Sequence, residues 1–279
     1  MPRHPLPSPG EEPPEARYVH GHHDSVLRSH RWRTAENSAA YLLPRLRPGL
    51  DLLDVGCGPG TLTADLAERV APGRVVAVDR AEGVLAEARA EAGRRGLDGV
   101  RFRTADALAL DFADDSFDVV HAHQVLQHLA DPVGALREMR RVCRPDGVVA
   151  VRDADYGAMS WFPEVPGLAA WRERYRRVAS ASGGEPDAGR RLLSWARKAG
   201  FSEVTPSASA WCFATEGDRS WWSGLWAERT VASTFAERAR ALGLAREREL
   251  RESATAWHAW GADPDGWFLV PHGELLCRP

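Results

Sequence analysis

The stretch Leu52-Leu53-Asp54-Val55-Gly56-Cys57-Gly58-Pro59-Gly60 constrains this chain more than any other. Its apolar run reads as a buried strand. The glycines at 56, 58 and 60 then read as a tight turn, and Thr61–Val70 as the helix that follows. Glycine tolerates the left-handed backbone region and lets the main chain approach a small ligand closely. A dinucleotide fingerprint would place its third glycine at position 61, which is threonine here, and a P-loop would need Gly-Lys-Ser/Thr after the turn. The spacing matches neither.

The pattern after this strand repeats. Arg74–Asp79, Val100–Thr104, Phe117–His121 and Val148–Arg152 read as apolar strands. Ala81–Gly93 and Pro132–Cys143 read as helices, with a turn at Pro145-Asp146-Gly147. Strands alternating with helices predict a parallel α/β sheet covered on both faces. Ahead of it, residues 24–43 carry apolar positions at helical spacing. Beyond it, Trp171, Tyr175 and Val178 share one predicted helical face, and 180–189 reads as a flexible polar stretch. Leu192–Ala199 reads as a helix closed by Gly200, and Val204–Phe213 as a strand. Residues 219–242 and 246–259 read as amphipathic helices, and 267–277 as a bent last strand. The expected divisions are a disordered tail (1–16), a helical lead-in (17–48), a core (49–153), a lid insertion (154–190) and a C-terminal part with inserted helices (191–279).

Bulk properties narrow the function. A formal charge of -3 without a basic block gives no support for nucleic-acid binding, and no apolar run approaches a membrane span. The proline- and glutamate-rich start lacks the apolar core of a secretory signal. Cysteines at 57, 143, 212 and 277 form no close pair and no zinc spacing, which predicts reduced thiols in a cytoplasmic protein. Ten of the eleven tryptophans fall between 161 and 267, so the second half has large apolar surfaces to bury, around a core or an apolar ligand.

The Asp-Val-Gly-Cys-Gly-Pro-Gly motif resembles motif I of the class I S-adenosylmethionine-dependent methyltransferases. The resemblance implies a Rossmann-like sheet of seven strands, mostly parallel with the last antiparallel, a helical N-terminal segment and helical lid insertions. It implies S-adenosylmethionine as methyl donor and S-adenosylhomocysteine as product. The amides of Gly56, Cys57, Gly58 and Gly60 are then expected against the cofactor carboxylate, with Cys57 a small filler. Asp54 is expected to orient the loop. Asp79, which ends the second strand 25 residues later, is expected to accept the ribose hydroxyls. Asp106 is expected to accept the adenine amino hydrogen, with the Ala107 amide on a ring nitrogen. Arg80 either stacks near the adenine or faces solvent. His121 either touches the cofactor or is a turn histidine, and Arg33 and Tyr18 are further cofactor candidates.

On the acceptor side, His123 is the leading candidate for a polar contact or base. His22 and Tyr18 are alternatives, and His23, Gln124, Gln127 and Trp161 are candidate acceptor contacts. No metal is expected, because the histidines at 20, 22 and 23 lack further ligands at set spacings. The segments Tyr18–Pro44, His121–Leu129 and Asp131–Leu136 resemble a subgroup related to ubiquinone/menaquinone C-methylases that includes gliotoxin- and dithiolopyrrolone-type thiol S-methyltransferases. That resemblance implies S-methylation of a reduced dithiol natural product in secondary metabolism. Quinone C-methylation, phenol O-methylation and a non-catalytic cofactor-binding regulator are the alternatives. Monomer and homodimer both remain open.

Overall fold

The computed structural model describes residues 23–279. Chain order begins with α1 (Asp24–Arg31) and α2 (Ala35–Ser38). The His23 ring caps α1 by accepting from the Ser25 amide, and Thr34 and Asn37 form a reciprocal capping box on α2. The regular part follows as β1 (Leu52–Val55), α3 (Thr61–Val70), β2 (Val75–Asp79), α4 (Glu82–Arg94), β3 (Arg101–Thr104), β4 (Phe117–His123), α5 (Pro132–Val142) and β5 (Cys143–Ala154). Then come β6 (Ser160–Phe162), α6 (Pro166–Ala181), α7 (Leu192–Ala199), β7 (Glu203–Phe213), α8 (Glu216–Ala232), α9 (Thr234–Ala241), α10 (Glu247–Ala262) and β8 (Trp267–Arg278). None of the described helices is long and apolar enough to cross a membrane.

One sheet takes all the strands in the order β3-β2-β1-β4-β5-β8, and the first five run parallel. Strand β8 lies antiparallel to β5 on one side and to β7 on the other. The sheet therefore has the mostly parallel α/β form expected of the chain. It has eight strands, however, where seven are expected. The extra one is β6, which pairs Trp267–Leu269 of β8 just beyond the stretch that β5 pairs. It continues the line of β5 after the 155–159 interruption. The strand order reverses direction between β1 and β4, so the crevice at their carboxyl ends is where such a sheet holds a ligand.

Three further expectations need correction. Pro145-Asp146-Gly147 is not a turn ahead of the strand: β5 begins at Cys143 and runs through it as an irregularity, with Phe117 opposite Cys143 and Val119 already opposite Val148. The stretch 180–189 is built in rather than loose, because buried Asp187 accepts from the Gly157 amide (2.8 Å) and pairs with Arg176. The helix expected over 219–242 breaks at Ser233, whose extended backbone lets its hydroxyl cap α9. The tryptophans go mainly into a second core among α6, α8, α10 and β8. There Trp171 packs edge-on to Trp226 and Trp257, with ring centroids 4.7 Å apart in each pair.

Candidate functional site

The turn between β1 and α3 holds its three glycines for three different reasons. All have positive φ: +73° at Gly56, +55° at Gly58 and +82° at Gly60. A Cβ on Gly56 would sit 2.4 Å from Val125 Cγ2, so this glycine lets the segment after β4 close onto the turn. A Cβ on Gly60 would sit 2.8 Å from Ala88 Cβ and 2.9 Å from Ala88 Cα, so this one lets α3 start against α4. Gly58 has open space: its nearest neighbour would be His30 Nδ1 at 3.7 Å.

The turn does not present the row of vacant amides expected of it. Gly56 and Cys57 both donate to the Val78 carbonyl (2.7 and 3.0 Å) and Gly60 donates to the Cys57 carbonyl (3.2 Å). Gly58 donates to Asp79 Oδ2 (3.0 Å), and Pro59 has no N–H. Thr61 and Leu62, in the first turn of α3, line the cavity, and first-turn amides have no partner inside their own helix. Arg33 lines the same space. Gly60, also expected at the cofactor, does not line the cavity.

Asp54 lines the cavity floor and is held from both sides. Its Oδ1 meets His121 Nδ1 at 2.8 Å and its Oδ2 accepts from Thr63 Oγ1 at 2.5 Å. His121 is fully buried and not on the cavity wall, so it orients Asp54 rather than touching a ligand. Asp79 accepts the Gly58 amide on Oδ2 and the Ala81 amide on Oδ1, both at 3.0 Å. Each oxygen keeps a second lone pair, which suits a pair of ribose hydroxyls. Asp106, Ala107 and Leu108 face this wall from beyond β3, and Arg80 lines the rim. Burial, followed by the charges of Asp54 and Asp79, pushes the Cys57 thiol well up, so it stays protonated and serves as filler.

These residues enclose a cavity of about 510 Å³, within the range of about 300–1,000 Å³ common for ligand sites. The start of α3 with Arg33, the Asp79 carboxylate and the Asp106-Ala107 wall offer partners for the carboxylate, ribose and adenine ends of S-adenosylmethionine. Asp79→Ala is expected to weaken its binding about 10- to 100-fold, as loss of hydrogen bonds to a charged group would. Isothermal calorimetry with S-adenosylhomocysteine reads this directly. Unchanged affinity would exclude Asp79 from the ribose site.

The opposite wall carries His30, Arg33, His123, Gln124 and His128. His123 is buried, and neither ring nitrogen has a hydrogen-bond partner among the described residues. Burial, then Arg33 and Arg152, holds its pKa well below the usual histidine value. Burial and then Arg33 push His128 down to about 3. Gln124 has φ +55°, uncommon for a residue with a side chain. Its Oε1 accepts from Arg33 Nη2 (2.7 Å), and its Nε2 donates to His272 Nε2 (2.8 Å).

The structure thus brings Arg33, Asp54, Gly56, Cys57, Gly58, Asp79, Arg80, Asp106, Ala107, His123 and Gln124 to one cavity. Besides Gly60, four sequence candidates lie elsewhere. His23 is spent capping α1. Gln127 is buried, its amide N–H on Asp153 Oδ1 and its side chain on His128. Trp161 stacks on Phe268 at 5.6 Å, in the second core. His121 is the fourth, behind Asp54. Tyr18 and His22 fall outside the described residues. Sequence reasoning missed His128, on this wall, and His272, which holds Gln124. His272 falls within the bend expected of the last strand, and nothing local links it to Gln124, 148 positions away.

Comparisons with known proteins agree with this fold. The family described as "Methyltransferase domain" matches residues 46–200. An uncharacterised methyltransferase of Schizosaccharomyces pombe is 35% identical over 271 residues, covering 94% of this chain and 96% of that one. The nocamycin O-methyltransferase of Saccharothrix syringae is 34% identical over 212 residues, covering 67% of this chain and 75% of that one. Among solved structures, the Haemonchus contortus phosphoethanolamine N-methyltransferase 2 in complex with S-adenosyl-L-methionine superposes with a TM-score of 0.58 at 18% identity, over 92% of this chain and 57% of that one.

Proposed function

The chain belongs to the methyltransferase-domain family, as an S-adenosylmethionine-dependent enzyme, and from that premise we propose that it methylates a small-molecule thiol. Bound S-adenosylmethionine supplies a methyl group that an electron-rich atom takes in a single displacement. Asp54, Asp79, Asp106 and the first turn of α3 hold and orient it. His30, Arg33, His123, Gln124 and His128 form the wall on which the acceptor rests.

One observation carries the choice of acceptor. His123, on this wall, is buried and has a lowered affinity for protons. A group of that kind orients a nucleophile but is a poor base. The site therefore suits an acceptor that ionises unaided, and a thiol near pKa about 8.5 does so far more readily than an ordinary hydroxyl. The charge of Arg33 favours that anion. The sequence likeness to S-methylating enzymes of dithiol natural products points the same way. The similarity to nocamycin O-methyltransferase favours a second reading, methylation of an acidic enol or phenol oxygen.

Mass spectrometry of turnover on a reduced dithiolopyrrolone, reduced gliotoxin, a demethylmenaquinol and a catechol tests the proposal. Gain of one CH2 on sulfur, with S-adenosylhomocysteine formed in step, is the expected result. Gain only on carbon or oxygen would overturn it. We further expect kcat/KM to rise with pH through the acceptor's own ionisation, with no inflection near about 6.5, and His123→Gln to keep that profile. An inflection near 6.5 that His123→Gln abolishes would make His123 the base.

A further inference from the structure

Gln124 joins two residues that the sequence keeps 91 and 148 positions from it. Its backbone amide donates to the Arg152 carbonyl (2.7 Å), which pins a φ of +55° that side chains seldom adopt. Its side chain is held at both ends, with Arg33 Nη2 on Oε1 (2.7 Å) and His272 Nε2 on Nε2 (2.8 Å). The chemistry of the two ends fixes which way the amide points. A guanidinium only donates, so the carbonyl oxygen faces Arg33. The NH2 group then faces His272 and needs an acceptor there, so His272 meets it with a bare Nε2 and a neutral ring. Burial, then Arg152 and Arg33, hold the pKa of His272 well below the usual histidine value, in keeping with that form. The ring is walled in: it is 1% exposed, edge-on to Trp211 at 4.4 Å and stacked on His123 at 6.3 Å.

At the other end of this chain, Arg33 is docked onto the start of α3. The His30 carbonyl accepts both the Arg33 amide (3.1 Å) and Thr61 Oγ1 (3.2 Å). Trp211 holds the turn that follows, donating from Nε1 to the Asn37 carbonyl (2.7 Å). Arg33, Thr61 and Leu62 line the same cavity, and His272 does not. We propose that Gln124 and His272 are positioning residues for the cofactor's carboxylate: His272 fixes the Gln124 amide, and the amide holds the Arg33 guanidinium beside the first turn of α3 to meet that carboxylate. A guanidinium carries five N–H donors, so one held on Gln124 serves a ligand as well. Holding it in place spares the ligand the cost of ordering a long side chain. An amide turned the other way would set its NH2 group against the guanidinium, donor against donor, and displace Arg33. The inference rests on S-adenosylmethionine as the methyl donor and not on the thiol reading.

Calorimetry on the full-length protein tests this, with S-adenosylhomocysteine and with its decarboxylated analogue, which lacks only the carboxylate. His272→Leu removes the acceptor from Gln124 and keeps an apolar side chain of similar bulk. It is expected to weaken S-adenosylhomocysteine by about tenfold, as loss of a charge-assisted hydrogen bond would, and to leave the analogue within about twofold of the wild type. His272→Gln offers a carbonyl oxygen in place of Nε2 and should bring S-adenosylhomocysteine back to within about threefold. Gln124→Leu should match His272→Leu, and the double variant should bind no more weakly than Gln124→Leu alone, because residues acting in series lose one effect between them. Unchanged affinity for S-adenosylhomocysteine in His272→Leu overturns the proposal. Equal weakening of both ligands makes His272 a support of the fold and overturns it as well, as do additive losses in the double variant or a His272→Gln protein that binds no better than His272→Leu. Should His272→Leu not fold, Gln124→Leu, at a half-buried position, carries the same comparison of the two ligands. The two proposals fail separately, because the calorimetry contains no acceptor and the products of turnover report neither affinity.

Discussion

Valine at position 60 is expected to abolish S-adenosylmethionine binding and to lower the melting temperature by roughly 5–15 °C. Two penalties combine. Gly60 sits at φ +82°, ψ 4°, where a left-handed backbone costs about 1–2 kcal/mol for a residue with a side chain, and more for a β-branched one. A Cβ there would also lie 2.9 Å from Ala88 Cα, a backbone atom with nowhere to retreat. Overpacking of that kind adds about 1–3 kcal/mol, out of a total stability of about 5–15 kcal/mol. Relief would come by pushing the start of α3 away from α4, and that helix start, with Thr61 and Leu62, forms part of the cavity wall. Gly58→Ala is the contrast. It meets only His30 Nδ1 at 3.7 Å, so only the backbone term applies. Thermal melts and calorimetry on both variants separate the effects. A Gly60→Val protein that melts and binds normally would show that α3 and α4 are not packed this tightly.

Mild acid is expected to destabilise the fold more than surface charge alone would. His123 and His272 are buried and His128 is half-buried, and all three are held below the usual histidine value, first by desolvation and then by guanidiniums, Arg33 for His128 and Arg33 with Arg152 for the other two. Below about pH 6.5 the unfolded chain takes up these protons and the folded one does not. Stability from each is complete above that value and is lost as pH falls, at up to about 1.4 kcal/mol per unit. Asp153 has the opposite sign. Burial holds its carboxyl up at about 7, so the folded state carries a proton that the unfolded one lacks, and this offsets one histidine. The net slope between about pH 6 and 5 is roughly 2–3 kcal/mol per unit. Melting temperatures should be nearly flat above about pH 7 and fall steeply below 6, with a shallower fall in His128→Gln. A flat profile down to about pH 5 would mean that these rings take up protons in the fold.

Local signals in the sequence were read well where one element's own chemistry decides the outcome. Thr61–Val70 forms the helix at those bounds, because an apolar period follows a glycine turn directly. Leu192–Ala199 ends where Gly200 adopts φ +93°. The acids at 54, 79 and 106 reach the cavity because each sits at or just beyond the carboxyl end of a strand, and those ends converge. Trp161 and Gln127 were misplaced because residue type states what a side chain can do and not which space it faces. Trp161 had a large apolar surface to bury, and the aromatic core took it.

The sequence by itself determined that a parallel α/β sheet would form, that its first crossover would turn on glycines, and that acids would stand at the strand ends. These follow from periodicity and backbone freedom within about ten residues of one another. Only the tertiary structure decided what each group does. Asp54 meets His121 across 67 positions, Gln124 meets His272 across 148, and Arg229 meets Ser29 across 200. Such pairs are set by how the sheet orders its strands and how α8 folds back over α1. Once buried, a polar group must find whatever partner the packing brings. That requirement holds Asp54 in place through His121 and strings Gln124 between Arg33 and His272. It leaves His123 neutral and unbonded on the cavity wall, an arrangement that no local pattern encodes.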